Sequence, residues 1–510
     1  MTFHRREVLG AFGVASASTL LWALGCGAPR PALRRAPQVS RDVRSWLQDA
    51  VARLSTIYPS VHALAVSRRR TTAALDVLGP GIARLRADGA VLTIRLSDGS
   101  SREHVTSELT ADGIAAAVQA LGAPRERAAI EFGAAPRSPA EPPLIDDGDL
   151  RHRVELLQAD ARPSSRIVYA AALIDIDDAI VWSVAPGRDL EQRLVRIRQA
   201  VTRAAWNGTR PVVADLHHAW SGWLDDQPLT PGDLAAASDA ALKLMTPGAF
   251  HDGERTVVLD PSVVAIVLDT LVRGRLTATA PWPGRGAIAA DLAGLSLAAG
   301  TGQPGNPRTA GAAQPLDNPR AATAPLASAL ITLVDDPTLA GAYGGFAFDD
   351  EGEPAAPLTL LDAGRITARL ADRARGGAGR GRRPGHLGCV EPSSSHLQLV
   401  PGTTDAAQLY TDGLVLEAGL GASFDPASDR IRIACARARE LKAGNATGRV
   451  YPDVELVGSL TALLTAADAV ARVPASFAMR DDDDREPRWR SISTPAVRTR
   501  GLVRSRRTHA

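Results

Sequence analysis

Residues 332–366 read TLVDDPTLAGAYGGFAFDDEGEPAAPLTLLDAGRI. Two acidic clusters, Asp335-Asp336 and Asp349-Asp350-Glu351, flank a turn carrying Gly341, Gly344 and Gly345, and Gly352 follows the second cluster. A strand-like run from Leu358 and a turn at Asp362-Ala363-Gly364 come next. Short apolar runs cut by Gly, Asp and Pro predict a β-rich domain of short strands. Paired carboxylates of this kind suit proton transfer or a hard cation. Asp before Pro or Gly also starts turns and caps backbone amides, and that structural role is the favoured reading here.

Working outward, short strands and turns continue to about residue 447, passing the Arg/Gly loop 375–383 (RGGAGRGRR). An apolar helix is expected over 459–473 and a closing strand over 495–503. Upstream, 253–261 (GERTVVLDP) reads as a strand running into a helix over 262–271, and 280–325 is a Gly/Pro/Ala-rich stretch of lid-like or disordered composition. Further towards the N-terminus, strands are expected at 167–174 and 179–184 and an Ala/Leu helix at 233–245. In 194–198, arginine alternates with apolar residues, which suits a sheet with one wet face. Before them, helical spacing over 41–57, turns at 87–89 and 97–99, and a Thr110-capped helix to about 121 predict a small mixed unit. The fold class is α+β. It comprises a small N-terminal α+β domain (45–134), a sheet-rich middle domain (150–247) and a larger β-rich C-terminal domain (250–505).

The chain has 510 residues, 22% charged and 45% hydrophobic, with aromatics at only 4%. Its cores must therefore be built from Ala, Val, Leu and Ile. A net charge of +2 without a basic domain gives no ground for a nucleic-acid partner. His4-Arg5-Arg6-Glu7-Val8-Leu9 and the apolar run after it read as a twin-arginine (Tat) export signal over 1–26. The signal ends in a lipobox-like Ala23-Leu24-Gly25-Cys26, with Cys26 the expected lipidation site and 27–44 a tether. The expected location is extracytoplasmic (periplasmic), anchored through Cys26. Of the cysteines beyond it, Cys389 and Cys435, two isolated core thiols are expected rather than a disulfide framework.

Taken in order, residues 332–366, Gly379-Arg-Gly-Arg-Arg383, Pro401-Gly402, Gly413 with Gly419, and 493–502 (STPAVRTRGL) resemble the TldD/PmbA (TldE) metallopeptidase family. The resemblance spans about 45–505 and makes Asp335, Asp336, Asp349, Asp350, Glu351, Gly352, Arg382 and Arg383 signature positions. Arg380 stands where the family has Asn, as does His396. In active members, the resemblance implies, two histidines of a helical HExxxH and a distant Cys hold zinc while the Glu activates its water. With the register set by 256–261 (TVVLDP), Asp269 and Gly274 occupy the two His slots, Thr270 the Glu slot, and Asp481 lies near the Cys slot. Thr is no general base and Gly has no side chain, so the slots are degenerate, and neither a catalytic residue nor a metal or cofactor is expected.

The resemblance therefore implies a TldE-like, non-catalytic subunit, inactive by itself. Such a subunit would bind peptide or complete a chamber, as a homodimer or as a heterodimer with a family subunit that keeps HExxxH. Two other readings stay open: a metallopeptidase with a relocated site, at Asp269 or at the cluster His386, Cys389 and His396, and a stand-alone lipid-anchored scaffold. His217-His218 would point to opposite faces of a strand. The run 481–484 lacks calcium-loop spacing.

Overall fold

A computed structural model describes residues 42–506, except 77–78, 98–99, 123–125, 134–145, 161–165, 207–210, 244–249, 279–324 and 480–488. The export signal, Cys26, nearly all of the tether, the Gly/Pro-rich stretch and Asp481 lie outside the described residues.

The N-terminal half is one antiparallel sheet. Helix α1 (Val43–Leu54) precedes strands β1 (Ser60–Asp76), β2 (Gly79–Arg95) and β3 (Ser101–Thr106). Helix α2 (Ala111–Ala120) follows, its first turn closed by Thr110 Oγ1, which accepts from the Gly113 amide at 3.1 Å. Helix α3 (Asp147–Asp160) leads to β4 (Ile167–Ala185), β5 (Arg188–Trp206) and β6 (Pro211–Ser221), then α4 (Pro231–Lys243). The strand order is β3-β2-β1-β4-β5-β6, and Val66 of β1 pairs with Val181 of β4. The units expected as separate domains over 45–134 and 150–247 thus share a single sheet. Alternation divides its faces: Ala63, Ala65, Leu92, Ile174 and Ile197 pack under the four helices, while Leu64, Val66, Val181 and Leu194 turn the other way.

That second face is not wet. It is covered by Phe346 and Phe348 of the C-terminal half, and Arg196 is only 1% exposed. The alternating arginines reflect a polar seam between two halves of the molecule, not solvent. The same seam explains two further corrections. Residues 167–185 form one strand because the polar interruption Asp175-Ile176-Asp177 is satisfied by arginines of β1. Gly89 is not at a turn but in β2, where a Cβ would stand 2.9 Å from Leu387 Cδ1 and 2.6 Å from Thr106 O. Its glycine permits close approach of the C-terminal half.

The C-terminal half begins with β7 (Gly253–Leu259) and helix α5 (Pro261–Arg275). Short strands β8 (Leu333–Asp335), β9 (Leu358–Asp362) and β10 (Arg365–Ile366) come next. They are followed by a ribbon of β11 (Gly381–Arg382) and β12 (Glu391–Pro392), and by β13 (His396–Leu399). Long strands β14 (Gly413–Asp425), β15 (Arg430–Lys442) and β16 (Asn445–Ser459) precede helix α6 (Leu460–Thr465), β17 (Ala469–Met479) and β18 (Arg490–Ser505). Strands β18, β16, β15, β14 and β7 hydrogen-bond in a closed circuit, and β13, β8, β9 and β10 extend it from β18. The helix expected over 459–473 stops at Thr465, and Val470, Val473 and Pro474 continue as a strand along β18.

Helix α5 is apolar on most sides, and Val263, Val264, Val267, Leu268, Leu271 and Val272 are buried in the largest core. Asp260 fixes its start. One carboxylate oxygen accepts from Val263 N at 2.9 Å and Ser262 Oγ at 2.7 Å, and the other from Ala418 N at 3.2 Å. Asp260→Ala removes this cap and the tie to β14 together, so a loss of about 1–2 kcal/mol is expected in urea unfolding. An unchanged midpoint would show that the cap contributes nothing.

Candidate functional site

Helix α5 carries the slots that the sequence aligns with a zinc helix. Asp269 is 7% exposed and is held by Arg490 of β18, with Arg273 Nη1 at 3.8 Å from its other oxygen. The carboxylate is committed to guanidinium groups. Thr270 donates its hydroxyl to Ile266 O at 2.7 Å, one helical turn back. At Gly274 a Cβ would fall 2.5 Å from Phe424 Cε1 and 2.6 Å from Cδ1, so the second ligand position is occupied by an aromatic ring of β14. Arg275 lies over the same ring at 5.3 Å and pairs with Asp429 at 3.1 Å. A zinc ion needs several neutral or anionic donors around an open position. These residues offer one carboxylate already bound to cations, a hydroxyl turned to the backbone, and a filled cavity. The residues present do not fit a zinc ion.

The acidic clusters sit elsewhere and are fully engaged. Asp335 accepts from Ser395 N at 2.8 Å and Ser395 Oγ at 2.9 Å, and its second oxygen meets Arg380 Nε at 2.6 Å. Arg380, in the position where the family has Asn, also donates to Ala356 O at 2.7 Å and Asp335 O at 3.0 Å. Asp336 closes a local turn by accepting from Thr338 N and Oγ1 at 2.9 and 2.6 Å. Asp349 accepts from the amides of Glu351, Glu353 and Gly381 at 3.0, 2.8 and 2.9 Å. Burial pushes its carboxyl up to about 7, with Glu351 and Asp350 adding to the rise against those amides.

Asp350 behaves oppositely. His386, Arg382 and the Arg383 amide hold its carboxyl well below the usual range, outweighing burial. It meets His386 Nδ1 at 2.7 Å, Arg383 N at 2.7 Å and Arg382 Nε at 3.4 Å. Glu351 accepts from Arg373 N at 2.8 Å, and burial raises its carboxyl. Gly352, at φ 76°, leaves no space for a side chain beside Ser183 Oγ, only 2.3 Å from where a Cβ would stand. Arg383 reaches Glu103 of β3 at 3.0 Å, and Arg382 lies over Phe346 at 4.4 Å. The signature residues thus tie the loops 335–353 and 380–386 to each other and to the N-terminal sheet.

The seam itself was missed by sequence reasoning. Trp489, 2% exposed, has His386 stacked at 4.7 Å and the guanidinium groups of Arg196 and Arg68 at 4.2 and 4.7 Å. Arg68 clasps Asp177 at 2.8–3.0 Å and Arg70 clasps Asp175 at 2.7–2.8 Å. The available signal was the Asp-x-Asp at 175–177 set against Arg68 and Arg70 of β1, the neighbouring strand in the sheet, the signature of cross-strand ion pairs.

The residues of the suggested relocated site have separate partners. His386 belongs to Asp350, and His396 Nδ1 meets Ser491 Oγ at 2.8 Å. Cys389 is not the core thiol expected but an exposed free one, because it sits on the loop joining β11 to β12. Among the described residues no group of three His, Cys, Asp or Glu side chains is placed to hold a metal ion. Cys435 is also free, and burial pushes its thiol well up. His217 is the more exposed of its pair, while His218 packs on Trp220 at 5.3 Å.

Residues 321–505 match the family model described as PmbA/TldA metallopeptidase C-terminal domain. The chain carries a PmbA/TldD-type C-terminal domain. Metalloprotease MJ0996 of Methanocaldococcus jannaschii is 26% identical over 155 residues, 28% of this chain and 34% of that protein. The match thus spans about a third of this curated relative's length. A Thermotoga maritima structure solved as a candidate modulator of a DNA gyrase superimposes with a TM-score of 0.67 at 14% identity. That likeness covers 91% of this chain and 100% of the other. TldE from Thermococcus kodakarensis gives 0.64 at 14% identity, covering 90% and 99%. The PmbA/TldD-type fold therefore extends over the N-terminal sheet as well, on structural likeness alone.

Proposed function

We propose that this protein is a TldE-like, non-catalytic member of the PmbA/TldD type, which binds peptide or completes a chamber with a subunit that keeps HExxxH. The observation that carries the reading is Phe424 packed where a second histidine would project from Gly274. Asp269 in the first slot, drawn to Arg490, supports it. In this reading the chain works outside the cytoplasm, tethered through a lipid on Cys26, holds no zinc, and leaves bond cleavage to its partner.

The test is co-purification. Tagged protein from its native host should bring down a homologue with intact HExxxH, and peptide hydrolysis should appear with the pair and not with this chain alone. Hydrolysis by the isolated chain, abolished by a chelator, would sink the proposal.

A further inference from the structure

We draw no further inference here: the strongest candidate, the outer edge of β17 from Val473 to Met479, where no strand pairs on the side away from β18 among the described residues, carries nothing because nothing in the structure shows what covers it.

Discussion

Asp350→Asn is expected to lower the stability of the chain by about 3–5 kcal/mol, the range for breaking a buried ion pair from one side. Asp350 is 1% exposed and joins His386, Arg382 and the Arg383 amide. The amide form keeps the shape but leaves the Arg382 guanidinium buried without its carboxylate. Those partners also orient the loop that presents Arg383 to Glu103, so the loss should reach the seam between the two halves. The pH dependence has a fixed sign. The folded carboxyl is held below its unfolded value, so its contribution is complete above the ordinary carboxylate range near ~4 and is lost as pH falls through the lower folded value. Urea unfolding of wild type and variant should therefore differ fully at pH 6 and converge on acidification. A difference that is constant with pH would show that the charge of Asp350 is not what matters.

Gly274→His should destabilise the protein by about 2–3 kcal/mol, at the upper end of the range for overpacking, and should create no zinc site. The new Cβ would meet Phe424 at 2.5 Å, and the ring is itself packed against the largest core. Replacing a helical glycine returns at most about 0.5 kcal/mol of helix propensity, too little to offset the clash. Adding Asp269→His and Thr270→Glu restores the motif in sequence but leaves Arg490 without the carboxylate it holds. Phe424→Ala combined with Gly274→His should recover stability, because it empties the space the imidazole needs. Thermal melting of the single and double variants reads this directly. A fully stable Gly274→His variant would mean that the slot is open.

The sequence made the C-terminal half legible because its turns are chemically marked. Asp335 ends β8, Asp349 and Asp350 stand in a loop, and the local geometry of all three depends on carboxylates accepting backbone amides, which leaves a recognisable string of letters. Strand β7 and the helix after it followed from the sequence pattern, and the slots at Asp269, Thr270 and Gly274 from the resemblance, with 256–261 setting the register. The N-terminal sheet was less legible because its polar residues are internal. Asp175 and Asp177 looked like a break in a strand, and Arg196 looked like a solvent-facing residue. Each is buried because a partner distant in sequence satisfies or covers it, Arg68 and Arg70 in one case and Trp489 in the other. Gly89 is a third instance: its lack of a side chain serves Leu387, nearly three hundred residues away, and mimics a turn residue locally. Phe424 could not be foreseen against Gly274 either, since only the packing of α5 on β14 brings them together.

The most direct measurement is the zinc content of the purified full-length chain after expression in zinc-supplemented medium, by elemental analysis. Substoichiometric zinc, unchanged by Asp269→Ala or His386→Ala, is the predicted result, because Asp269 is paired to Arg490, Gly274 is closed by Phe424 and His386 is bound to Asp350. One zinc per chain, lost on either substitution, would contradict a non-catalytic role and return the protein to the metallopeptidases it resembles.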